Sequence, residues 1–144
     1  MTEPLRHHPA RIIDANVNRA REALRVLEDG VRFLLDKESA SRGLKALRHE
    51  LQQAVGDLPP GLLESNRRSE DDVGRKIALD SEFTRTDPLA VIQAAGSRLG
   101  EALRSIEEWG KTVDPAFSAR IEDLRYRGYD ATAAFDPNSQ GAGW

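Results

Sequence analysis

The chain has 144 residues, 39% hydrophobic and 31% charged, with 21 basic against 24 acidic side chains and no cysteine. That is enough apolar material for one domain with its own core. It excludes disulfide scaffolds, thiolate metal sites and thiol nucleophiles, and it lacks the basic excess of a general nucleic-acid binder. No apolar run approaches the ~20 residues that span a bilayer. Residues 1–8 carry no apolar segment of the secretory type, so they read as a flexible start and a cytoplasmic location is expected.

The first element predicted is a helix over 9–35. Val17, Ala20, Leu24, Leu27, Val31 and Leu34 recur at steps of three and four, which is one apolar stripe, and Pro9 suits a first helical position. Asp36-Lys37-Glu38-Ser39 breaks it. A second helix is predicted over 40–55, with Leu44, Leu47 and Leu51 inward, ended by Gly56 and Pro59-Pro60-Gly61. Residues 56–86 show no period and read as a long irregular loop, of a length that is usually functional. Two further helices each open on Asp-Pro, at Asp87-Pro88 and Asp114-Pro115, where Asp caps free amides and Pro at N1 has none to satisfy. The third carries Ile92, Ala95, Leu99, Leu103 and Ile106, and the fourth Phe117, Ile121 and Leu124. Residues 130–144 read as a polar, frayed tail.

The chain repeats itself. Arg19-Ala20-Arg21-Glu22-Ala23-Leu24-Arg25-Val26-Leu27-Glu28-Asp29 aligns with Arg98-Leu99-Gly100-Glu101-Ala102-Leu103-Arg104-Ser105-Ile106-Glu107-Glu108 at an offset of 79, and the Leu47-Arg48 pair with Leu124-Arg125 at 77. The expected fold is all-α: two pseudo-repeated helical hairpins, 9–55 and 87–129, forming one four-helix-bundle-like domain around the loop.

Nucleotide-binding glycine motifs and zinc-protease signatures are absent. The basic set is lopsided, with 17 Arg to 4 Lys. Arginine's planar fork grips phosphate or carboxylate through two hydrogen bonds, although a GC-rich genome also favours it. On helix one, Asn18, Arg21, Arg25 and Glu28 form a polar strip beside the apolar stripe. Helix three offers Ser97, Gly100, Arg104 and Glu107 in the same places. Intrahelical pairing among Glu22, Arg25 and Asp29 is the plain alternative. The repetition instead suggests that both helices present these groups to one shared place. Arg48 and Arg125 add two guanidinium groups. Asp72-Val73-Gly74 offers a carboxylate for Mg²⁺ and a glycine for close backbone approach to an anion. Arginines with a few carboxylates suit a phosphate-rich substrate and its metal.

Five blocks in order carry a resemblance: Asp14 through Asp29, Leu47-Arg48-His49-Glu50-Leu51, Asp72-Val73-Gly74, Arg98 through Lys111, and Leu124-Arg125-Tyr126. Together they resemble the single-function hydroxymethylpyrimidine phosphate kinases of thiamine biosynthesis, which occur alone or fused ahead of thiamine phosphate synthase. The chain departs from that pattern at Ala95, at Ser97 and at Arg67-Arg68-Ser69. The resemblance implies transfer of the ATP γ-phosphoryl group, with Mg²⁺, to hydroxymethylpyrimidine monophosphate. The unphosphorylated alcohol is then not a substrate, and a thiamine phosphate synthase is an expected partner.

On this reading Arg25, Arg104 and Asp72 are catalytic. Arg21, Arg48, Arg67, Gly74, Arg98 and Arg125 hold phosphates, while Asn16 and Asn18 read the pyrimidine edge. Glu28, Asp72 and Glu107 serve Mg²⁺, and the stretch 67–76 closes as a lid. Three other readings stand beside it. A helical nucleotide phosphohydrolase would use Glu28-Asp29 and Glu107-Glu108 as metal carboxylates. A chorismate-mutase-like bundle would need no metal. A non-enzymatic module would bind a phosphorylated ligand or a partner helix. Trp109 either packs internally or joins two copies as a homodimer.

Overall fold

The computed structural model describes residues 3–75, 85 and 87–133. Its helices are α1 (Ala10–Asp29), α2 (Glu38–Gly56), a short α3 (Leu62–Ser65), α4 (Pro88–Gly110) and α5 (Pro115–Ala133). No strand occurs among the described residues, and none of their helices is long and apolar enough to cross a membrane.

The all-α expectation holds. α1 packs on α4, α4 on α5, α5 on α2 and α2 on α1, so the long helices close a four-cornered bundle. Leu24, Leu47, Leu51, Leu99, Leu103 and Leu124, from all four helices, meet at its centre. Each such leucine contributes about 1.5–3 kcal/mol by leaving water. The α1–α4 contact is the most extensive, and its register can be read directly. Arg98 meets Glu22, and Ile92 lies against Gly30, so the two helices run antiparallel. A β-carbon on Gly30 would stand 2.7 Å from Ile92 Cγ1, so this approach requires glycine.

Most expected helix ends hold within a residue or two, with physical reasons. Pro9 precedes α1 as its N-cap residue instead of opening it, and His8 Nδ1 accepts from the Ala10 N–H at 3.0 Å. α1 runs on as a π-turn (Gly30–Leu34), whose Gly30 carbonyl accepts from Leu35 N–H. The chain then turns at Asp36, with φ 51°, a left-handed conformation that a short polar side chain tolerates. Asp87 caps α4 by accepting from Ala90 N–H at 2.8 Å, and Asp114 accepts from Ala116 N–H at the start of α5.

Two expectations need correction. The stretch after α2 is not irregular throughout: Leu58 and Leu63 are buried in the core, and α3 packs on α1. The tail does not begin at 130, because α5 continues through Ala133 and buries Thr132. Residues 134–144 lie outside the described residues. Trp109 is partly exposed.

Candidate active site in the groove between the repeated helices

Antiparallel packing decides which repeated residues can meet. The register that pairs Glu22 with Arg98 sets Arg19 level with Glu101 and Asn16 level with Ser105. These residues, with Ala102 and Arg85 from the central segment, line a groove of about 770 Å³. The repeat thus supplies Arg19 and Arg98, Glu22 and Glu101, from both sides of a local twofold axis. Arg98 Nη2 donates to Glu22 Oε1 at 3.2 Å. Arg19 makes no ion pair among the described residues. Its Nη1 reaches only Asn16 Oδ1, at 3.4 Å, while Asn16 Nδ2 donates to the Ile12 carbonyl at 3.0 Å. Asn16 lines the groove but is largely buried, its amide engaged by Arg19 on one side and the Ile12 carbonyl on the other.

Residues farther from the crossing are carried to opposite ends. Glu28 sits level with about Gln93, which along α4 is roughly 20 Å from Glu107. Arg25 and Arg104 are separated in the same sense, so they do not share a catalytic site. In the first hairpin, Glu28 accepts from Arg48 Nε at 2.8 Å and Nη2 at 3.4 Å. Arg25 stands exposed beside that pair in a second cleft, between α1 and α2. In the second hairpin, Glu107 accepts from Arg104 Nη1 and from Arg125 Nε, each at 2.7 Å. The hydrogen bond from Arg125 to Glu107 holds the guanidinium pKa above its ordinary value. Arg125 is buried with Glu107, and so serves structure more directly than substrate.

Other expected site residues are engaged elsewhere. Arg67 grips Asp14 through Nε at 2.8 Å and Nη2 at 2.6 Å, and that hydrogen bond raises its pKa. Arg11 donates to the Arg68 carbonyl at 3.0 Å, a second staple of this stretch onto α1. Arg67 is therefore an anchor for the segment expected to be a lid; Lys76, at the far end of that expected lid, lies outside the described residues. Asp72 Oδ1 accepts from Gly74 N–H at 2.9 Å, an ordinary turn with both residues exposed. Asn18 and Arg21 are exposed and line neither cleft.

The expected Mg²⁺ ligands do not fit one cation. Glu28 and Glu107 are at opposite ends in arginine pairs, and Asp72 closes its own turn. Among the described residues no three Asp, Glu or His side chains come together as a metal site. The phosphohydrolase alternative loses its carboxylate cluster on the same geometry. The groove also contains residues that the reading of the sequence did not select: Arg19, Arg85, Glu101 and Ser105. Arg19 carried a signal, its identity with Arg98 one repeat later. The buried Asp14 carried one too, as an acid beside the apolar stripe.

Relatives of known name match most of this chain. It is 44% identical over 119 residues to a thiamine-phosphate synthase of Rhodopirellula baltica, covering 83% of the chain and 32% of the relative. It is 43% identical over 120 residues to one of Synechocystis sp., covering 83% and 34%, and 40% identical over 121 residues to one of a Synechococcus sp., covering 84% and 33%. The chain spans about a third of the length of these curated relatives. No solved structure matches it. The ThiD2 family model matches residues 11–134, from the first turn of α1 to the end of the bundle, and the chain belongs to that family.

Proposed function

We propose that this domain acts in thiamine biosynthesis as a kinase, transferring the γ-phosphoryl group of ATP to hydroxymethylpyrimidine monophosphate in the α1–α4 groove. The observation that carries the reading is the convergence of Arg19, Arg98 and Arg85 on one groove at the crossing of the repeated helices. The acceptor is a phosphate oxygen, so no general base is required. An oxygen of the monophosphate forms a bond to the γ-phosphorus, the bond to the β–γ bridging oxygen breaks, and ADP leaves. The obstacle is repulsion between two phosphate groups brought together, and guanidinium groups fixed before the reaction offset it.

Arg19, whose Nη1 rests on Asn16 Oδ1 and which has no carboxylate partner among the described residues, is the principal phosphate ligand. Arg98 gives up or shares Glu22 as substrate binds. Mg²⁺ enters on the nucleotide phosphates as part of the substrate, since the carboxylates of the described residues do not assemble to hold it. The relatives support the pathway: a segment that makes a pyrimidine diphosphate fits naturally in one chain with a thiamine-phosphate synthase.

The test is ADP release from ATP and Mg²⁺ with the monophosphate in one tube and the unphosphorylated alcohol in another. Turnover of the monophosphate alone is the expected result. No ADP in either tube, from protein with a helical circular dichroism spectrum, would refute the reading.

A further inference from the structure

The second cleft, about 570 Å³ between the end of α1 and the start of α2, shares no lining residue with the α1–α4 groove. The two lie on different flanks of α1: Glu22 meets Arg98 of α4, whereas Glu28 meets Arg48 of α2. Arg25, Arg32, Lys37, Arg42, Lys45 and Arg48 line the cleft against four carboxylates. Two of these cations are neutralised in place, Arg48 by Glu28 and Arg42 by Glu38. Arg25, Arg32, Lys37 and Lys45 make no ion pair among the described residues, and Arg32 lies over the Phe33 ring.

The same positions in the second hairpin are occupied differently. There Arg104, the counterpart of Arg25, reaches Glu107 and Glu108, and Lys111, the counterpart of Arg32, reaches Glu108. Glu122 stands where Lys45 stands in the first hairpin, and Ala119 where Arg42 stands. Ser118, the counterpart of Ser41, is buried and donates to the Glu107 carbonyl. At these positions the second hairpin pairs its cations with its own carboxylates, while the first leaves four of its six without an ion pair at an open cleft.

We propose that this cleft is a second anion site, separate from the reaction groove, that binds a chain of two or more linked phosphates, as in a di- or triphosphate ester. A single phosphate is too small for it. Lys37 and Lys45 are eight residues apart, about 12 Å along α2, with Arg25 on the facing wall. The site does not depend on the reaction assigned to the groove.

Isothermal titration of inorganic tripolyphosphate into the full chain, at low salt, tests it. In the Arg19→Ala/Arg98→Ala background, which strips the groove of its paired guanidinium groups, tripolyphosphate should still bind. Adding Lys37→Glu and Lys45→Glu should weaken that binding at least ten-fold, with circular dichroism unchanged. Should the charge reversals unfold the protein, Lys37→Gln/Lys45→Gln replaces them under the same criterion. Absence of binding in the Arg19→Ala/Arg98→Ala background would overturn the proposal, as would binding that is insensitive to the lysine changes.

Discussion

In the second hairpin Glu107 is only 3% exposed and receives two guanidinium groups; in the first, Glu28 is 12% exposed and receives one. The residues are the same, offset by one repeat, and the difference lies in how each hairpin turns. α4 ends at Gly110, where a β-carbon would stand 3.1 Å from Phe117, so α5 closes tightly on it. α1 instead continues through the π-turn and the left-handed Asp36, two residues longer, and the cleft stays open. Irregular helical turns of this kind are frequent at functional sites. A repeated sequence therefore does not mean a repeated role. One copy consolidates the bundle, and the other leaves its cations available.

The largest contrast between the hairpins is expected when the two glutamates are removed in turn. Glu107→Ala strips a buried arginine of its carboxylate and should cost about 3–5 kcal/mol, which lowers Tm by roughly 10 °C for a domain of this size. Glu28→Ala leaves Arg48 partly hydrated and should cost only about 1–2 kcal/mol. Equal losses in thermal unfolding would mean that the hairpins are energetically alike.

Asp14→Ala sharpens the role of Arg67. The exposed guanidinium regains water, so the loss of stability should be small. The stretch beyond α3 should become more readily cut by protease while the rest of the bundle stays resistant. An unchanged cleavage rate would remove Arg67 from its place as an anchor.

The smallest effect concerns pH. Hydrogen bonding from Lys111, then attraction by Arg104, holds the Glu108 carboxyl below its ordinary value of 4.5. A depressed carboxyl contributes stability that is present above its unfolded value and lost as pH falls through the lower folded one. Glu108 is solvent-facing, so acid unfolding of Glu108→Gln should differ only slightly from the parent, and less in high salt. A large difference would place Glu108 in a tighter network than the second hairpin shows.

The helices were legible because periodicity and Asp-Pro starts are local signals. The pairing of hairpins was legible because the repeat spans both. The geometry of the candidate site was not legible. An arginine-rich repeat points to phosphate, but which copies meet depends on helix direction and register, and these are set by long-range packing such as Gly30 on Ile92. That packing brings Arg19 to Arg98 and carries Arg25 away from Arg104. The same limit explains Asp14 with Arg67, 53 residues apart in sequence, and Leu63, whose burial has no periodic signal in a four-residue helix.

On the proposed function, the crossing of the repeated helices, and not their shared Arg-Glu ends, carries the reaction. Steady-state kinetics of Arg19→Ala beside Arg104→Ala, with ATP, Mg²⁺ and hydroxymethylpyrimidine monophosphate, test it most directly. Arg19→Ala should lose at least about 100-fold in kcat/KM with Tm unchanged. Arg104→Ala should keep kcat/KM within about three-fold while Tm falls by the few degrees that a lost ion pair of about 1 kcal/mol implies. An active Arg19→Ala protein, or an Arg104→Ala protein that is folded but inactive, would contradict the account.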